Sequence, residues 1–322
     1  LARPTRRQIA WGLALLGLLI GAAFLLRGLV PGRPYDPSYD TRVAAPAYAA
    51  GGPKVLYDEA HRNLHASTGG YKPFVDLLRN DGYQVEVLRE PFTLERLAGA
   101  AVLMIVCAVG ANPANDAPAF SEAEIETVER WVREGGSLLL VADHWPFGPA
   151  AQALAARLGV DMSGGMVQEP EHFEAGLGDT HVVFTRENGL LREHPVTEGA
   201  SPDERVTRVL TFTGTSLRAE PPAVAFLELG RAALDYPPTP PSIEQDGRDV
   251  RVSMNYGEPG PAAGRAQGIA LELGAGRVVV LGESGMLRAY HDQNDTPIGM
   301  NYPGYDNRKL GLNLLHWLSR RI

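Results

Sequence analysis

Cysteine is almost missing from this chain: Cys107 is the only one in 322 residues, so no internal disulfide can form. One thiol fits either side of a membrane and leaves the redox compartment open. Basic charge is also scarce, with 30 Lys and Arg against 38 Asp and Glu and a formal net charge of -8. No Lys/Arg-rich stripe occurs beyond the N-terminus. Nucleic acid is therefore not an expected partner. No internal repeat is visible, which sets repeat architectures aside. There is no His-Glu-x-x-His and no Gly-x-Ser-x-Gly. In Gly282-Glu283-Ser284-Gly285 the serine stands one place too late for a nucleophile elbow.

Charge is absent from one more place. Residues 9–26 carry none and are mostly Leu, Ala, Gly and Ile. That is close to the minimum for a membrane span of roughly 17–25 residues. Arg27 can snorkel, and the apolar stretch continues to Val30. Arg3, Arg6 and Arg7 precede it, so the positive-inside rule places the N-terminus in the cytoplasm. A cleaved signal peptide is the rival reading. The tidy A-x-A at Ala47-Tyr48-Ala49 lies far beyond the apolar core, which favours an uncleaved anchor. The expected order is a basic tail at 1–8, an anchor at 9–30, a Pro/Ala/Gly-rich tether at 31–53 and one α/β domain at 54–322. Membrane lipid is the expected partner of the anchor, with the C-terminal domain outside the cytoplasm.

Within the domain, apolar β-branched runs alternate with helical spacing. Three runs end abruptly in acids or histidines: Val55-Leu-Tyr57 before Asp58, Glu59 and His61; Leu138-Leu-Leu-Val-Ala142 before Asp143 and His144; and Val278-Val-Val-Leu-Gly282 before Glu283. Such runs read as buried parallel strands. Ligands of open α/β sheets bind beyond the carboxyl ends of strands. Strand ends are also simply where polar residues resume, so the three sets together carry the argument. Asp143 and Glu283 are the candidate catalytic carboxylates. Asp58, Glu59, His61, His144 and Asn301 are the candidate ligand contacts. His61, Asp143 and His144 are donors compatible with a divalent metal. His61 and His65 stand four apart and would share a helix face, although Asn63-Leu64 between them reads as a loop. Residues 220–266 read as an irregular, exposed insertion, because Pro237-Pro-Thr-Pro-Pro241 does not suit a sheet interior. A hairpin over 269–281 and a final helix from about 307 to 320 close the chain.

Residues from about 54 to 322 resemble the class I glutamine-amidotransferase-like domains, which are flavodoxin-like. The resemblance rests on Val-Leu-Tyr-Asp-Glu-Ala-His61, Trp131-Val-Arg-Glu-Gly-Gly-Ser-Leu-Leu-Leu-Val-Ala-Asp143, Gly276-Arg-Val-Val-Val-Leu-Gly-Glu283, Gly299-Met-Asn301 and Asn313-Leu-Leu-His-Trp317. It is closest to a membrane-anchored bacterial branch and to gliding-motility transport components. The resemblance implies a three-layer α/β fold with a mostly parallel sheet, and a membrane transport assembly as a possible setting. It does not carry glutaminase activity. The family's nucleophilic cysteine is expected where Asp143 stands, and no His-x-Glu closes the chain. Cys107 reads instead as a small buried hydrophobe. The expected function is a polar acidic/His pocket that binds a small polar or glycan-like ligand, with metal-assisted hydrolysis as the reaction class if it turns over. The alternative is a non-catalytic binding or scaffold component of that assembly.

Overall fold

The computed structural model describes residues 34–49, 51–110, 117–246 and 249–322. The expected basic tail and anchor lie outside them. Among the described residues no helix is long and apolar enough to cross a membrane.

The apolar runs form one nine-stranded mixed sheet. Its strands are β1 (Lys54–Asp58), β2 (Gln84–Leu88), β3 (Val102–Val106), β4 (Ser137–Val141), β5 (Val160–Met162), β6 (Leu217–Ala219), β7 (Val224–Glu228), β8 (Ala266–Leu273) and β9 (Gly276–Leu281). The order is β2-β1-β3-β4-β9-β8-β6-β5, with β7 also on β8. The half from β2 to β9 is parallel. Tyr57 pairs with Met104, Met104 with Leu139, and Leu139 with Val279. Beyond β9 the sheet is antiparallel. The predicted hairpin is β8–β9, turning at Gly274-Ala275.

Four helices cover the faces: α1 (Lys72–Asn80), α2 (Glu122–Arg133), α3 (Phe147–Arg157) and α4 (Asn307–Leu318). Side chains of a strand alternate between faces. Tyr57, Met104, Leu139 and Val279 meet Phe74, Leu77, Leu310 and Leu314 of α1 and α4. Leu56, Leu103, Leu138 and Val278 meet Ile125, Val128 and Leu154 of α2 and α3. This gives three layers. Burying a Leu or Val contributes roughly 1.5–3 kcal/mol, so the two faces hold the domain together. The Ser121 capping box opens α2, as Ser121-x-x-Glu124 predicts. Thr93 caps the short helix Leu94–Leu97.

Two expectations need correction. Residues 34–49 are not an extended spacer. Tyr39, Val43 and Tyr48 pack on the core, the Tyr48 ring meets Tyr83 at 5.0 Å, and Asp36 N–H donates to Ala289 O at 2.7 Å. Apolar Tyr and Val side chains at intervals gain by burial, and composition alone hid this. The insertion is also more regular than expected. Pro238–Asp246 and Asp249–Tyr256 pair as an antiparallel ribbon. Its register breaks between Thr239 and Ser242, so Pro240-Pro241 fall in the irregularity. An isolated two-stranded ribbon has only edges, where proline is tolerated.

Candidate functional site

Three parallel strands bring their carboxyl ends to one edge, and the polar residues that follow them part company there. Asp58 shares its face with Leu56, on the α2 side. His61 Nδ1 lies 2.8 Å from Asp58 Oδ1 and its Nε2 lies 2.8 Å from Glu124 Oε1. The ring packs on Phe92 and Phe120. Burial pulls the imidazole pKa down, but the bonds and charges of Asp58 and Glu124 outweigh it and raise it above 6.5. Asn63 Nδ2 donates to Asp58 Oδ2 and to Val106 O. This set ties the loop after β1 to the first turn of α2.

Asp143 and Glu283 follow β4 and β9 and face the other way. Asp143 Oδ2 accepts from Ser284 N–H at 3.2 Å and from Ser284 Oγ at 2.7 Å, and its Oδ1 accepts from His144 N–H at 2.8 Å. Glu283 is fully buried and accepts from the Gly285 and Met286 amides. Burial pushes its carboxyl well up, Asp143's charge adds to this, and the amides oppose it. Gly214, at φ +149, leaves room for it: a Cβ there would stand 2.9 Å from Glu283 Cβ. These groups floor a cavity of about 370 Å³. Its walls are His65, His144 and Arg288, with Trp145, Phe147, Phe212 and Tyr290; Leu64 and Met254 are its exposed apolar side chains. His144 Nδ1 sits 3.0 Å from Trp145 O and 3.2 Å from Tyr256 Oη. Burial and then Asp143 push the Tyr256 hydroxyl up to about 12.

So the structure joins Asp143, His144 and Glu283 and leaves the other candidates out. Both ring nitrogens of His61 are engaged elsewhere, and the expected set of His61, Asp143 and His144 does not assemble. Among the described residues no three His, Cys, Asp or Glu side chains are grouped to hold a metal ion. Glu59 accepts from Ser67 N–H at 2.9 Å and pairs with Arg89, a loop-closing role. Asn301 donates to Asp36 and to Tyr290 O, both at 3.4 Å, and does not line the cavity. Two polar wall residues, Arg288 and Tyr290, escaped the sequence. The spacing of His65 from His61 drew attention to the pair, but only the fold separates their roles. Arg288 ends the single turn Gly285–Leu287 and Tyr290 lies in the three-residue strand Ala289–His291, both too short to leave a periodic signal.

Cys107 lies just past β3, buried, with a left-handed φ of 44°, a region uncommon for a non-glycine residue. Burial and then the charge of Asp143 push its thiol well up. A thiolate is therefore disfavoured.

Residues 63–315 match a family described as a domain of unknown function, DUF4350. The chain belongs to that family. No curated protein matches it. In architecture it is similar to the mmIFT52 N-terminal domain, with a TM-score of 0.54 at 16% identity over 83% of this chain and 97% of the other. It also aligns with cytoplasmic protein STM3548 from Salmonella typhimurium, at 0.43 and 14% over 83% and 98%. A GMP synthase component from Thermoplasma acidophilum aligns at 0.40 and 9% over 84% and 95%. The chain is thus a DUF4350-family α/β domain whose fold is similar to that of the mmIFT52 N-terminal domain.

Proposed function

We propose that this protein binds a small polar, glycan-like ligand in the cavity beyond β4 and β9. One observation carries this: a cavity of about 370 Å³ whose walls combine hydrogen-bonding side chains, Asp143, His144 and Arg288, with rings of Trp145, Phe212 and Tyr290. Concave sites with a few convergent polar groups among apolar walls are what small ligands require. Rings suit the apolar face of a sugar, and carboxylate and imidazole suit its hydroxyls. Calorimetry with a panel of monosaccharides tests the reading. His144→Ala, which keeps the floor intact, is expected to weaken binding about tenfold, the loss of one hydrogen bond of about 1.4 kcal/mol. Equal affinity of variant and parent, or no saccharide bound by the parent, would remove it.

Hydrolysis is a second reading. Burial and the neighbouring Asp143 raise the pKa of the Glu283 carboxyl, and a raised acid beside a second carboxyl is a pattern acid–base chemistry uses. Release of a chromogenic aglycone would support it. The scaffold alternative needs a broad apolar patch. The exposed large apolar side chains among the described residues are Leu64, Phe173 and Met254, and two of them belong to the cavity.

The setting is part of the proposal. Arg3, Arg6 and Arg7 ahead of the apolar segment 9–30 support a single-pass anchor with the domain outside the cytoplasm, as in the membrane-anchored branch this chain resembles. Membrane lipid and transport components are then its partners. A C-terminal reporter should behave as exported. Cytoplasmic reporter activity would defeat this.

A further inference from the structure

One wall of the cavity is positively charged and unpaired. Arg186, Arg192, Arg265 and Arg277 each have a carboxylate partner. Arg288 has none among the described residues. Its guanidinium lies 3.8 Å from the centre of the Tyr290 ring. One Nη donates to Pro34 O at 3.2 Å. Nε is buried without a partner. Beside it stands His65, buried and stacked on Tyr71, with centroids 5.4 Å apart. A Cβ on Gly70 would lie 2.8 Å from His65 Nδ1 and 3.2 Å from Arg288 Nε. The bare glycine backbone therefore lets the two side chains come together. No hydrogen bond engages either ring nitrogen of His65 among the described residues. Burial, and then the charge of Arg288, hold His65 well below its ordinary pKa, so it is neutral and able to donate one N–H. Asp143 and Glu283 lie on the same cavity, yet neither pairs with Arg288.

A guanidinium held by a ring and a carbonyl, without a counter-ion, is a receptor for an oxyanion. We propose that Arg288, with His65 beside it, takes the anionic group of the ligand, so that the ligand is an acidic polyol: a sugar carrying a carboxylate or a phosphate. This rests on the saccharide-binding reading above. Arg288 would hold the oxyanion, while Asp143 and His144 would take the hydroxyls.

Three probes test it on the full chain by calorimetry: D-glucuronate, D-glucose 6-phosphate and D-glucose. Both anionic sugars are expected to bind at least tenfold more tightly than glucose, and the better of the two identifies the anion. Arg288→Gln should bring all three to the affinity of glucose. Arg288→Lys keeps the charge and should keep part of the preference. His65 supplies a second readout by NMR, since a bound anion offsets the charge of Arg288 and its titration should move up. Equal affinity for all three sugars would overturn the inference and leave the saccharide reading standing. Binding of none would remove both. A preference that survives in folded Arg288→Gln would overturn the role of Arg288. If that variant does not fold, an unmoved His65 titration in the saturated parent would overturn it instead.

Discussion

Replacing His61 with Ala is expected to cost about 3–5 kcal/mol of stability, the usual penalty for removing one partner from a buried ion pair. His61 bridges Asp58 and Glu124 through both ring nitrogens. Without it the fully buried Asp58 loses its counter-charge, and Glu124 faces another carboxylate across the space left. Glu124 also caps α2 through Ser121 and accepts from Phe92 N–H, so the loss reaches the helix start. The pH dependence gives the sharper test. The folded pKa of His61 is raised above 6.5. Its contribution is therefore complete below the unfolded value and is lost as pH rises through the folded one. The Glu124 carboxyl is held below 4.5: burial raises it, and the Ser121 and His61 bonds outweigh burial. Its contribution is present above that value and is lost as pH falls. Urea unfolding should show a larger His61→Ala penalty at pH 6 than at pH 9. Equal penalties at the two pH values, or a loss below about 1 kcal/mol, would show that the bridge is incidental.

The same histidine shows how far the sequence could be read. The apolar runs ending at Asp58, Asp143 and Glu283 were legible because buried parallel strands have little polar surface until they leave the sheet. Their shared polarity followed from the β-α-β alternation, and the structure has it. Which face each strand-end residue takes was not legible. Asp58 is the last residue of β1 and inherits the face of Leu56, while Asp143 and Glu283 each lie two residues beyond the end of their strand, where the backbone leaves the sheet. The sequence therefore suggested one cluster where the fold has two. Arg288 was illegible for another reason. Its role depends on Gly70 and Tyr290, which the fold of the domain brings beside it, and on Pro34, which reaches it only when the strap of residues 34–49 lies down on the domain.

Polar bonds hold that strap down together with its half-buried rings. Arg308 donates to the carbonyls of Asp40 and Arg42, Asn80 donates to Thr41 O at 2.9 Å, and Ala47 N–H donates to Asp81 Oδ1 at 2.8 Å. Asp81 is in turn 2.7 Å from His316 Nε2 of α4. A segment that is Pro-rich and without apolar period is thus fixed by bonds between domain side chains and its own backbone groups at Asp40, Thr41, Arg42 and Ala47, which composition does not reveal. Its start, at Pro34, touches the same guanidinium that lines the cavity. The strap thereby links the wall of the site to the segment leading from the proposed anchor.

Asp143→Ala is expected to destabilise the domain by about 1–3 kcal/mol for each buried donor left without an acceptor. Two such donors, the amide and hydroxyl of Ser284, depend on Asp143 Oδ2. Asp143→Asn keeps an oxygen on this side chain and should cost less. A second consequence runs through Glu283. Burial first, and the charge of Asp143 second, raise its folded pKa well above 4.5. Such a group contributes stability that is fully present below the unfolded value and is lost as pH rises through the folded one. Removing the charge of Asp143 lowers that folded pKa, so less is lost on the alkaline side. The penalty of Asp143→Ala should accordingly be smaller at pH 9 than at pH 5.5, the reverse of a variant that only breaks hydrogen bonds to a fixed carboxylate. Denaturant midpoints at the two pH values, with unchanged m-values, measure it. A penalty that stays constant or grows with pH would mean that the two carboxyls do not sense each other, and the acid pair would lose its place in any hydrolytic reading of this cavity.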